Sequence, residues 1–245
     1  MKPILIIKTG STFEGITRSK GDFENWTADA MGLVSEKWQC VNVQDGEILP
    51  DPDAFVGCVI TGSHDMITED AKWMLETTEW VGQAVQAGLP MLGICFGHQL
   101  MANALGGKAA FHPDGMEIGT VSINLKDAAT DDQLFSDIPV SFQAHVTHSQ
   151  TVLELPPEAI LLASSDHEAH QAFRVGEHAW GVQFHPEFDA EGTRFYVEAL
   201  RNVMATQGLD GDAVFAGVEE TPVSAGILKR FGEYCYGGGR MDTEE

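Results

Sequence analysis

Leu89-Pro90-Met91-Leu92-Gly93-Ile94-Cys95-Phe96-Gly97-His98-Gln99 is an apolar run of strand length that stops at a cysteine and passes at once into a helical pattern. A glycine stands two residues to either side of the cysteine. At a strand-to-helix turn tight enough to expose a nucleophile, side chains at those two positions would collide, so Gly93 and Gly97 mark a nucleophile elbow. Cys95 would then meet the N-terminal end of the following helix, where unpaired N–H groups and the macrodipole favour thiolate over thiol. The same turn aims the backbone N–H of Phe96 at the carbonyl under attack, which makes it one expected oxyanion donor.

A thiolate cannot complete acyl transfer alone, because the leaving amine must gain a proton. Downstream, Ala179-Trp180-Gly181-Val182-Gln183-Phe184-His185-Pro186-Glu187 is a strand-like segment ending in a histidine. Residues two apart in extended chain point to the same side, so Glu187 can hold the His185 imidazole in one tautomer and stabilise its cation. Cys95, His185 and Glu187 are the candidate triad.

Together these motifs resemble the class I glutamine amidotransferase family, with its Gly-x-Cys-x-Gly-[His/Gln]-Gln elbow and later His-Pro-Glu, over about residues 3–205. Asp114 to Gly119 resembles the family's strand after the elbow helix. Val146-Thr147-His148-Ser149-Gln150-Thr151-Val152 resembles its Ser-His-Gly-Asp-x-Val loop, with Ser149 and Gln150 where Gly and Asp are usual. The resemblance implies a flavodoxin-like, doubly wound, mostly parallel sheet with flanking helices. It also implies substrate contacts from Gln99, Thr147, His148 and Ser149, although Gln99 also suits an exposed helical position. The second oxyanion donor is expected at Gly62 in Thr61-Gly62-Ser63, where the family has Gly-Gly-Pro and where a plain turn is the alternative.

Working outward, strands are expected near 3–8, 39–43, 55–60 and 89–94, and helices at 22–36 and 69–87. Trp73, Leu75, Trp80, Val81, Ala84 and Val85 recur at helical spacing in the second helix. Gly106-Gly107 reads as a helix C-cap. Shorter extended runs follow near 117–125, 151–154, 160–163, 171–175 and 179–184, then a helix at 189–206. Residues 1–206 are read as the catalytic domain. Residues 207–245 are read as an extension, with a helix near 223–234 whose Ile227, Leu228, Phe231 and Tyr234 pack on the body or on another subunit, and a frayed glycine-rich end.

The chain has 245 residues, 43% of them hydrophobic, enough for one substantial core. Its net charge of −23 would repel nucleic acid and anionic membranes. Cys40, Cys58, Cys95 and Cys235 form no close-set pairs, so neither a disulfide framework nor a zinc cluster is expected. The crowded Asp166-His167-Glu168-Ala169-His170 lacks metal-ligand spacing, no phosphate loop occurs, and no cofactor is expected. The cytoplasm is the expected compartment, since Pro3 to Ile7 is too short for a signal peptide or membrane span. The leading expectation is hydrolysis of glutamine to glutamate and ammonia through a Cys95 thioester, with a synthetase on a separate polypeptide as partner. A stand-alone γ-glutamyl peptidase, which the Thr61-Gly62-Ser63-His64-Asp65 run resembles, and a non-catalytic binding protein are the alternatives.

Overall fold

The computed structural model describes residues 1–237. Four strands build the parallel half of the sheet: β1 (Ile4–Lys8), β2 (Trp38–Asn42), β3 (Gly57–Ile60) and β4 (Met91–Ile94). In β1 the residues Ile4 to Ile7 are all fully buried, as expected of a strand covered on both faces. Successive residues part ways: Ile4 and Ile6 enter one apolar cluster, Leu5 and Ile7 the other. The first cluster is completed by α2 (Phe23–Ala30) and by α8 (Pro222–Tyr236) through Ala28, Ile227, Leu228 and Phe231. The second is completed by α3 (Lys72–Gln86) and α4 (Phe96–Ala104) through Trp80, Val81, Leu100 and Met101.

The remaining strands are β5 (Lys108–Phe111), β6 (Glu117–Leu125), β7 (Ser141–His148), β8 (Gln150–Glu154), β9 (Ile160–Ser164), β10 (Ala172–Val175) and β11 (Ala179–Val182). The nine-stranded sheet has the order β2-β1-β3-β4-β11-β10-β9-β6-β7, while β5 and β8 pair separately. Neighbours from β2 to β11 are parallel; those from β11 to β7 are antiparallel, so every strand but β10 and β6 runs the same way. With helices on both faces this is the flavodoxin-like α/β architecture. The decisive pairing is β4 with β11, Gly93 opposite Gly181 and Ile94 opposite Val182. It brings the carboxyl ends of two strands far apart in sequence side by side, where open α/β sheets place their ligands.

Several expected elements have different bounds. The helix expected at 22–36 ends at Ala30, because Gly32 adopts a left-handed φ of 68° and its N–H closes onto the Asp29 carbonyl. The helix expected at 189–206 is two, α5 (Ala190–Ala199) and α6 (Arg201–Thr206), separated at Leu200 (φ −100°, ψ 6°). Two short helices, α1 (Glu14–Lys20) and α7 (Gly211–Ala216), and the strands β5 and β7 had no sequence reading. The segment 146–152, read as a loop, is the end of β7 and the start of β8 with Ser149 between them. Leu75 is exposed, whereas Trp80, Val81 and Ala84 are buried. Gly106, at φ 90°, follows the end of α4 as a C-cap should.

In α8, Ile227, Leu228 and Phe231 are fully buried against the body, and Tyr234 sits edge-on to Trp180 of β11 at 5.1 Å. The glycine-rich end beyond Gly237 lies outside the described residues. No helix among the described residues is long and apolar enough to cross a membrane.

Candidate active site

Cys95 follows the last residue of β4 and precedes the first of α4, with φ 50° and ψ −100°. A positive φ at a residue with a side chain is strained, and such strain is retained only where surrounding packing over-determines it. That packing is visible in the two glycines. A Cβ on Gly93 would lie 2.4 Å from the Gly97 carbonyl oxygen, and one on Gly97 would lie 2.4 Å from that of Ile60. The Cys95 N–H donates to the Val182 carbonyl at 2.8 Å, which ties the elbow to β11. The side chain is buried, with its sulfur 3.8 Å from the Thr147 carbonyl.

His185 stands just past β11, fixed by its N–H bond to the His145 carbonyl at 2.8 Å. Its Nδ1 donates to Glu187 Oε1 at 2.8 Å, and both side chains are almost wholly buried. Nε2 has no partner elsewhere among the described residues. Burial alone would lower the imidazole's pKa. The negative charges of Glu187 and the Cys95 thiolate outweigh it and raise His185 to about 10. The imidazole between Glu187 and Cys95 is thus held well above the ordinary histidine value.

Gly62 lies against this pair: a Cβ there would sit 3.2 Å from His185 Cε1 and 3.8 Å from Cys95 Cβ. The Thr9 hydroxyl is 2.9 Å from the Thr61 carbonyl oxygen and 3.1 Å from that of Gly62. Both carbonyls turn toward Thr9, so in planar trans peptides the N–H groups of Gly62 and Ser63 turn away from it. Phe96, at the first position of α4, has an N–H without an intrahelical partner. Neither Gly62 nor Phe96 donates a backbone hydrogen bond among the described residues.

The cavity over Cys95 has a volume of about 320 Å³. Gln99, Thr147, His148 and Ser149 all line it. Gln99 is buried rather than exposed, because its Nε2 donates to the Gln150 carbonyl at 2.8 Å and to Gln183 Oε1 at 3.1 Å. His148 has both ring nitrogens engaged inside the protein, with the Gln150 carbonyl and with buried Glu117 Oε2, each at 3.0 Å. Sequence reasoning missed Glu117, Thr9, Phe13 and Tyr196. Thr9 follows a buried strand and Tyr196 lies in the apolar stripe of α5, so each reads as core until the fold brings them together.

The other cysteines differ in setting. Burial pushes Cys40 up to about 11, and Cys58 and Cys235 well above the ordinary thiol value. In the region of the crowded histidines, the His112 and His167 rings stack at 4.1 Å and His170 Nδ1 donates to the Val152 carbonyl. No three His, Cys, Asp or Glu side chains among the described residues are grouped to hold a metal.

Residues 41–202 match the family model for "Glutamine amidotransferase class-I". The chain belongs to this family. Among class I amidotransferases and their kin, it is 33% identical over 192 residues to gamma-glutamyl peptidase 5 of Arabidopsis thaliana, covering 77% of this chain and 76% of that one. It is 30% identical over 181 residues to a glutamine-hydrolysing GMP synthase of Porphyromonas gingivalis, covering 72% of this chain but 33% of the synthase. A glutamine amidotransferase of known structure from Thermotoga maritima superposes with a TM-score of 0.73 at 22% identity, covering 96% of this chain and 98% of that one. That likeness concerns the fold alone.

Proposed function

We propose that this class I amidotransferase-family protein hydrolyses a γ-glutamyl amide bond through a thioester on Cys95. The observation that carries the reading is the strained cysteine at the end of β4 beside a glutamate-bound histidine at the end of β11. In the first half-reaction the Cys95 sulfur attacks the side-chain carbonyl carbon. The oxyanion is received by the N–H groups of Phe96 and Gly62, the carbon–nitrogen bond breaks, and the His185 imidazolium gives its proton to the departing amine. In the second, water adds to the thioester carbonyl, His185 takes the water proton, and glutamate leaves as the thiolate is restored. Glu187 keeps Nδ1 occupied throughout, so proton exchange runs through Nε2.

With glutamine as substrate the amine is ammonia, and a synthetase on a separate polypeptide would consume it. The cavity's lining by Phe13, Tyr196, Leu200 and Val203 besides Cys95 and His185 favours a second reading, a larger amine, and the match to a gamma-glutamyl peptidase over three quarters of both chains supports it. The test is product analysis with the purified chain. Amine release from γ-glutamyl amides that vanishes in Cys95→Ser, with the fold retained by circular dichroism, is the expected result. Release undiminished in that variant would overturn the mechanism.

A further inference from the structure

The cavity has two unlike sides. Toward α4 and the β7–β8 junction it offers the polar groups of Thr147, Ser149 and Gln150, with the Gln99 amide held behind them. On the other side, beside Ser63, His64 and Asp65, the wall is largely apolar. Phe13 and Tyr196 line it with ring centroids 5.0 Å apart, and behind them Phe188, outside the cavity, packs on Tyr196 at 4.9 Å and on His185 at 4.2 Å. Leu200, at the break between α5 and α6, Val203 on α6 and Met116 continue this surface. Since His185 delivers the proton to the leaving nitrogen, the amine departs along this wall.

Among the described residues no lysine or arginine lines the cavity, and Asp65 is the one carboxylate outside the triad that does. Cations on the flanking segments are already engaged: Lys8 with Asp22 and Glu24, Lys20 with Asp189 and Glu191, and Arg201 with Glu198 and Asp212. Arg194 donates to the Val218 carbonyl at 2.6 Å. His64, at the rim, is held below its ordinary pKa by burial and by the His185 charge, which keeps it neutral. A carboxylate brought here would lie near Asp65 with no cation among the described residues to meet it, an unfavourable arrangement.

Resting on the γ-glutamyl amide reading above, we propose that the leaving amine carries an uncharged apolar group, aromatic or alkyl, rather than the free carboxylate of an amino acid or peptide. The test is a matched set: γ-glutamyl-phenylalanine, γ-glutamyl-phenylalaninamide and γ-glutamyl-phenethylamide, with glutamine as the small comparator. We expect kcat/KM at least tenfold higher for the two uncharged compounds than for γ-glutamyl-phenylalanine and glutamine. Val203→Lys, at a position 42% exposed on α6, adds a cation to the wall and should narrow the gap between phenylalanine and phenylalaninamide substrates severalfold. Equal or better turnover of γ-glutamyl-phenylalanine, or of glutamine, would overturn this inference and leave γ-glutamyl hydrolysis standing. Turnover of none of the four would overturn the underlying reading and the inference with it.

Discussion

Gly97→Ala places the smallest side chain against the part of the molecule least able to yield. The new Cβ would stand 2.4 Å from the Ile60 carbonyl oxygen, 2.9 Å from Ile60 Cβ and 3.0 Å from the Ile60 carbonyl carbon, while ordinary contact begins at about 3.4 Å. Backbone atoms have no rotamer to change, so the start of α4 must part from the end of β3 by about 1 Å. Overpacking of this kind costs about 1 to 3 kcal/mol. For a chain of this size the melting midpoint should fall by roughly 2 to 12 °C. The separation also moves the Phe96 N–H away from Gly62, and a misplacement of about 1 Å near reacting atoms can cost about a hundredfold in rate. Thermal melts and kcat/KM on a γ-glutamyl amide measure both. Gly226→Ala is the control, since a Cβ there meets nothing within 4 Å and should stabilise α8 by about 0.4 to 1 kcal/mol. An unchanged midpoint with full activity in Gly97→Ala would refute the elbow argument.

Three further outcomes are expected. Glu187→Gln removes a charge that raises His185 to about 10, so the alkaline limb of the pH–rate profile should move from about pH 10 toward neutrality, with a smaller loss of rate at pH 7 than in His185→Ala; an unmoved limb would dismiss the electrostatic role. A γ-glutamyl diazo-ketone should alkylate Cys95 alone, because burial holds Cys40, Cys58 and Cys235 as thiols; peptide mapping that finds adducts spread over those three would contradict this. Burial lowers His98 to about 3 and His145 to about 4, so folding stability from their neutral forms is complete above about pH 6.5 and lost as pH falls through those values. The urea midpoint should drop from pH 6.5 to 4, and drop less in His98→Leu.

The elbow was legible because steric need leaves a local mark: only glycine fits at 93 and 97, and both flank the cysteine in sequence. His185 and Glu187 were legible for a similar reason, since two residues of extended chain fix their relation. β7 hid its signal. Phe142, Ala144 and Val146 alternate as a half-buried strand should, but the likeness of 146–152 to a loop motif drew the reading away from that period. The aromatic cluster beside the cavity left no linear trace, because Phe13 is far in sequence from Phe188 and Tyr196 and meets them only when α5 packs beside the first loop. The break at Leu200 is set by backbone angles at a residue that suits helices well, so propensity pointed to one continuous helix.

The neighbouring placement of β4 and β11 also governs when the molecule becomes competent. The strained turn at Cys95 is specified by residues adjacent in the chain. The candidate proton donor His185 arrives only after everything from β5 to β10 has been threaded out and returned, and β11 is backed in turn by α8, near the end of the described chain. Closing so long a loop is entropically expensive, and contacts of high sequence separation form late in folding. The strained turn and its candidate base are thus completed together, when β11 pairs with β4 and the Val182 carbonyl meets the Cys95 N–H.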